Sequence, residues 1–109
     1  YFYSAYDKAK QKDHYGAIAD YTKSIELDST SSSAYFNRGI AKGQIGDIHS
    51  AIADFSIAIK LDPNYTEAYA IRGGAKSIIG DMSGACADML KAANLGKTSA
   101  AEFVAKNCN

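Results

Sequence analysis

Three stretches of this chain read alike: GAIADYTKSIELD from Gly16 to Asp28, SAIADFSIAIKLD from Ser50 to Asp62, and GACADMLKAANLG from Gly84 to Gly96. They begin at positions 16, 50 and 84, a spacing of 34 residues. Carried outward, the same shift leaves seven columns with one residue type in every copy. These are Tyr1, Tyr35, Tyr69; Lys8, Lys42, Lys76; Asp13, Asp47, Asp81; Ala17, Ala51, Ala85; Ala19, Ala53, Ala87; Asp20, Asp54, Asp88; and Leu27, Leu61, Leu95. A strict period of this length marks a chain built from stacked supersecondary units, each too small to bury its own apolar face.

Within each copy, two amphipathic stretches flank a fixed break. In copies two and three the break is Gly46-Asp47 and Gly80-Asp81. Glycine takes the left-handed conformation that ends one helix, and aspartate caps the next. Copy one has Lys12-Asp13 instead, so its cap survives but its stop must be strained or shaped differently. Ser29 to Ser33 and Pro63-Asn64 supply helix entry between copies. Helices are expected at about 2–11, 14–27, 33–45, 48–60, 66–79 and 82–94. Beyond Gly96, Ser99 and Glu102 fit a capping box, and Ala101, Val104, Ala105 and Cys108 share a stripe. A seventh helix at about 99–107 is expected to cover the last repeat, as a stacked array requires.

Composition narrows the function. The chain has 109 residues, 12 Lys plus Arg against 12 Asp plus Glu, and only one proline. Zero net charge removes the bulk attraction that nucleic acid or an acidic membrane would exploit. No apolar run reaches the ~18 residues of a membrane span. Two cysteines and two histidines are too few for a zinc cage, so neither metal nor other cofactor is expected. His14 and His49 do not occupy equivalent repeat positions, no phosphate-loop glycine spacing occurs, and no catalytic constellation can be assembled. The chain starts at Tyr1, which reads as a processed or excised product, and it shows no signal-peptide pattern.

A 34-residue helix-turn-helix unit with these aromatic, small and alanine positions resembles the tetratricopeptide repeat, whose pattern runs W-x2-L-G-x2-Y, A-x3-F, P. The first aromatic is Tyr1, Tyr35 and Tyr69, and the small residue is Ala5, Gly39 and Gly73. The alanine is Ala17, Ala51 and Ala85, followed four residues on by Tyr21, Phe55 and Met89. RGIAK (Arg38 to Lys42) and GAIADY (Gly16 to Tyr21) most resemble bacterial members. The resemblance implies an all-α, right-handed α-solenoid of three repeats (about 1–31, 32–65 and 66–97) with a C-terminal capping helix. Glycine and alanine then stand where helix backbones must approach closely.

Departures from the family pattern place Arg38 with Lys42, and Arg72 with Lys76, one turn apart on one helix face. The acidic column Asp20, Asp54 and Asp88 repeats with the same period, which favours a ladder of salt bridges over a basic stripe for an anionic partner.

The resemblance further implies a non-catalytic interaction scaffold that takes a peptide or protein segment into a concave groove. Phe2, Tyr6, Ala9, Lys10, Phe36, Asn37, Ile40, Gln44, Glu67, Ala70, Gly74 and Ile78 are projected to line it. Phe2 and Tyr6 have an alternative role in packing against a neighbouring segment. Some family members clamp a peptide carboxylate. Phe2, Tyr6, Asn37, Glu67 and Ile71 occupy those five positions here, and only Asn37 matches, so a chaperone-tail ligand is not expected. The rival reading is a structural subunit that forms a homo-oligomer through Tyr1, Phe2 and Tyr3.

Cys86 and Cys108 lie symmetrically about Lys97, so an end helix folded back antiparallel brings them together. They read either as a disulfide stapling that helix to the third repeat or as two buried thiols. The bond requires an oxidising compartment, hence export; without it the default location is the cytoplasm.

Overall fold

The computed structural model describes residues 2–108, with side chains from residue 13 onward. It contains six helices: α1 (Phe2–Leu27), α2 (Ser32–Gln44), α3 (Ile48–Leu61), α4 (Thr66–Ile78), α5 (Met82–Asn94) and α6 (Thr98–Asn107). No strand occurs among the described residues. Each helix packs on its neighbour in sequence, giving a helical-repeat solenoid. Its Cα radius of gyration is 15.0 Å, against about 13 Å for a compact sphere-like chain of this length.

The turns repeat with the sequence. Gly46, Gly80 and Gly96 have φ of 89°, 86° and 107°. At each, the glycine N–H donates three residues back and the following N–H donates five back: Asp47 to Lys42 O at 2.9 Å, Asp81 to Lys76 O at 2.8 Å, and Lys97 to Ala92 O at 3.0 Å. This closure satisfies the carbonyls that a helix end leaves open. Asp81 also accepts from the Gly84 N–H at 2.9 Å. Asp47, expected to cap in the same way, makes no such side-chain bond. At α2, Ser31 is the cap, accepting from Ala34 N–H at 3.3 Å.

Two expectations are corrected. The helices expected at 2–11 and 14–27 form one continuous helix, α1. Lysine at position 12 would have to adopt the positive φ that Gly46 and Gly80 take, driving its Cβ toward backbone oxygen, so the helix continues instead. The last helix starts at Thr98 with Lys97 as its cap residue, so Ser99 lies inside the first turn and caps nothing. Gly96-Lys97 occupies the place of Gly46-Asp47, and that turn sets where the helix begins. The buried stripe shifts with it: Ala100 is buried, Phe103, Val104 and Cys108 are half-buried, and Ala101 and Ala105 are exposed.

The core is made of small residues because the helices approach closely. A Cβ on Gly39 would lie 2.6 Å from the Phe55 ring and 3.2 Å from Ala51 O; one on Gly73 would lie 3.2 Å from Ala85 O and Met89 Cγ. Ala51, Ala58, Ala85 and Ala92 are all at or below 1% exposure. At the C-terminal end, Ala70, Ala92 and Ala100 join α4, α5 and α6 beneath Tyr69, Met89 and Ala93.

Candidate functional site

The charged columns form an internal ladder. Arg38 donates Nε and Nη2 to Asp54, each at 2.8 Å, and Lys42 Nζ lies 3.1 Å from the same carboxylate. Arg72 repeats this on Asp88 at 2.7 and 2.6 Å, with Lys76 at 3.1 Å. Asp54 and Asp88 are 2% and 4% exposed. Hydrogen bonding to the aspartates raises both guanidinium pKa values above the usual arginine value, outweighing the opposing effect of burial. In these two repeats the cations therefore serve the fold rather than an anionic ligand. In copy one, Asp20 is exposed.

Between α2, α3 and α4 lies an open hollow of about 380 Å³. Gly39, Ile40, Gly43 and Gln44 line it from α2; Ile48, Ala51 and Phe55 from α3; and Ala70, Ile71, Gly74, Ala75 and Ile78 from α4. Gln44 carries the one polar side chain of the lining, and none of the twelve residues titrates. The lining is apolar apart from Gln44 and offers no acid, base or nucleophile. Nor does any group of three His, Cys, Asp or Glu suited to a metal ion occur among the described residues. No described helix is long and apolar enough to cross a membrane.

Of the residues projected onto the groove, Ile40, Gln44, Ala70, Gly74 and Ile78 meet in this hollow. Asn37 is exposed one turn from Ile40. Phe36 stands apart as a packing residue, with ring centroids 5.7 Å from Phe55 and 4.9 Å from Tyr65. Glu67 accepts from Lys97 Nζ at 2.8 Å and so ties α4 to the start of α6. The side chains of Phe2, Tyr6, Ala9 and Lys10 lie outside the described residues, as does Tyr1. Sequence reasoning missed Gly43, Ile48 and Ala75 as lining and considered Ile71 only as a clamp position. Ile71 and Ile78 lie seven residues apart on one face of α4, a spacing that signals their shared stripe.

At the far end, Cys86 of α5 and Cys108 after α6 form a disulfide, with Cα atoms 5.7 Å apart.

Comparison with known proteins agrees with this architecture. A family model described as the tetratricopeptide repeat matches residues 32–65. A search of curated proteins gives no match. Among solved structures, the first TPR of Spaghetti (RPAP3) bound to the HSP90 peptide SRMEEVD superposes with a TM-score of 0.82 at 26% identity, covering 94% of this chain and 83% of that one. The second TPR of Spaghetti (RPAP3), bound to the same peptide, gives 0.75 at 31% identity over 79% of this chain and 80% of that one. The second TPR domain of human RPAP3, in complex with the HSP70 peptide SGPTIEEVD, gives 0.81 at 29% identity over 92% and 85%. The 34-residue period, the glycine-closed hairpins and these likenesses agree, and the chain belongs to the tetratricopeptide-repeat family.

Proposed function

We propose that the chain is a non-catalytic interaction module that binds a peptide segment of a protein partner, seating an apolar side chain of the peptide in the hollow between α2, α3 and α4. The observation that carries this is the floor of the hollow. Gly74 sits in the interior of α4, where glycine costs about 1 kcal/mol relative to alanine, and Gly43 in the last turn of α2. A Cβ at Gly74 would meet nothing within 4 Å, and one at Gly43 would meet only Ala51 Cβ at 3.9 Å. The fold has no steric need of either glycine, whereas a guest approaching the backbone does. Ile71 and Ile78 are exposed at the rim, at 38% and 71%, and give that guest apolar walls.

The related domains hold peptides ending in EEVD. A different anchor fits here, because the lining has no cation and Arg38, Lys42, Arg72 and Lys76 on the helices that line it are engaged with Asp54 and Asp88. Selection from a random displayed-peptide library tests the proposal. The protein is expected to enrich sequences with a Leu, Ile, Met or Phe anchor, and Ile71→Glu to weaken the selected peptides roughly tenfold or more. Enrichment of acidic C-terminal tails, or binding indifferent to Ile71→Glu, would refute the apolar anchor.

A further inference from the structure

The outer face of α1 is complementary to itself. Gly16, Asp20, Lys23 and Leu27 are all exposed, and at about 100° per residue they fall within about 60° of arc. Thr22, which accepts from Arg38 of α2, and the buried Ile25 lie on the opposite side of the helix. The stripe therefore points away from the rest of the chain. Its neighbours Ala19 and Ser24 are small and exposed as well. Steps of four, three and four residues are those of a seam between paired helices.

Two of these residues have no role inside the chain. A Cβ at Gly16 would meet nothing within 4 Å, although glycine is unfavourable in a helix interior. At the matching Gly84, the Asp81 carboxylate and the Lys76 stem occupy that space. Leu27 is 88% exposed, against 40% for Leu61 in the same column, and is the most exposed large apolar side chain among the described residues.

A second copy of the stripe, laid antiparallel with a two-fold axis between residues 21 and 22, answers each of the four. Leu27 of one copy sits over Gly16 of the other, where the absent side chain leaves it a seat. Asp20 of one lies beside Lys23 of the other, and each contact occurs twice. A parallel pairing would instead set Asp20 on Asp20 and Lys23 on Lys23. We infer that this face joins two copies of the chain in an antiparallel, two-fold dimer. Residues 16–27 span about three helical turns and bring one leucine per copy, so the dimer belongs to the weak, dilution-sensitive class of contacts. The charged pairs fix register and orientation more than affinity. The interface lies on α1 alone, apart from the hollow between α2, α3 and α4, and stands independently of peptide binding.

Sedimentation equilibrium of the full chain over a concentration series tests the dimer. The wild type is expected to associate at high concentration and to dissociate on dilution. Asp20→Lys alone sets lysine against lysine at both charged contacts, and Lys23→Asp alone sets aspartate against aspartate. Each is expected to raise the dimer dissociation constant about tenfold or more. Mixed in equal amounts, the two variants restore opposite charges at every contact, and the mixture is expected to recover most of the association. Gly16→Leu places its Cβ in open space within its own chain, but it fills the seat for Leu27 and is expected to weaken the dimer similarly. Circular dichroism at low concentration verifies that every variant is folded. A wild type that stays monomeric to the highest soluble concentration, a mixture no more associated than its separate variants, or a Gly16→Leu protein that dimerises as the wild type does would each overturn this interface.

Discussion

Arg38 joins three helices through one side chain. Two of its donors hold Asp54 on α3, while Nη1 reaches the Thr22 hydroxyl on α1 at 3.3 Å. Arg72 does the same one repeat later, reaching Ser56 at 3.1 Å. Both hydroxyls donate to the carbonyl four residues back, Ile18 and Ile52, which leaves their lone pairs for the guanidinium. Each arginine thus ties its own hairpin together and that hairpin to the preceding helix. Asp54→Asn would leave Arg38 and Lys42 crowded without a counter-charge and is expected to cost about 3 kcal/mol. Asp20→Asn at the equivalent exposed site is expected to stay within about 0.5 kcal/mol. Urea denaturation of the pair at equal protein concentration measures the difference, and equal losses would contradict the ladder's structural role.

Gly39 and Gly74 are expected to respond to alanine in opposite directions. At Gly39 the methyl meets the Phe55 ring, and overpacking of this kind costs about 1–3 kcal/mol. At Gly74 it enters open space, so the gain in helix propensity stabilises the protein by up to about 1 kcal/mol. The same methyl partly fills the hollow and should weaken peptide capture. Thermal melts and peptide titration of Gly74→Ala therefore move in opposite senses.

Tyr65 gives an alkaline signature. Burial first, and then the negative charges of Asp62 and Glu67, raise its phenol above the ordinary value of 10.0. The folded state favours the neutral phenol, so the unfolded chain ionises first as pH rises. The contribution is intact below 10.0 and is lost as pH climbs through the higher folded value. Tyr65→Phe removes this component, so the variant's urea midpoint should fall less than the wild type's between about pH 9 and pH 11. Parallel curves for the two proteins would deny the effect.

Reduction of the Cys86–Cys108 bond, whose partners are 22 residues apart, is expected to cost about 3 kcal/mol by loop entropy. Because α6 covers Ala70 and Ala92, its amides should lose hydrogen-exchange protection first. Identical denaturation midpoints with and without reductant would show that the Lys97–Glu67 pair and apolar packing hold α6 unaided.

The repeat and its turns were legible because identical residues recur at a constant interval. The boundaries of α2, α3, α4 and α5 fall within a residue of those read from the sequence. What failed depended on a single residue or on geometry between helices. Lys12 preserves the spacing of a hairpin while lacking the one residue type that permits its turn. Ser99 and Glu102 offered a plausible cap, but the Gly96 turn had already set the helix start. Phe36 shares a helix with Ile40, and periodicity alone cannot show that the Tyr65 ring, arriving from the next repeat, would stack on the one while the other lines the hollow.

The Gly96-Lys97 turn reproduces the closures at Gly46 and Gly80, and α6 enters the stack as α2 and α4 do. Structurally, α6 is therefore the leading half of a unit rather than a foreign lid. A second helix grafted after α6 would find the same kind of open face that α2 offers to α3 and α4 offers to α5. Lengthening the array would add stability in nearest-neighbour increments, while the staple between Cys86 and Cys108 holds α6 to α5 independently of what is added.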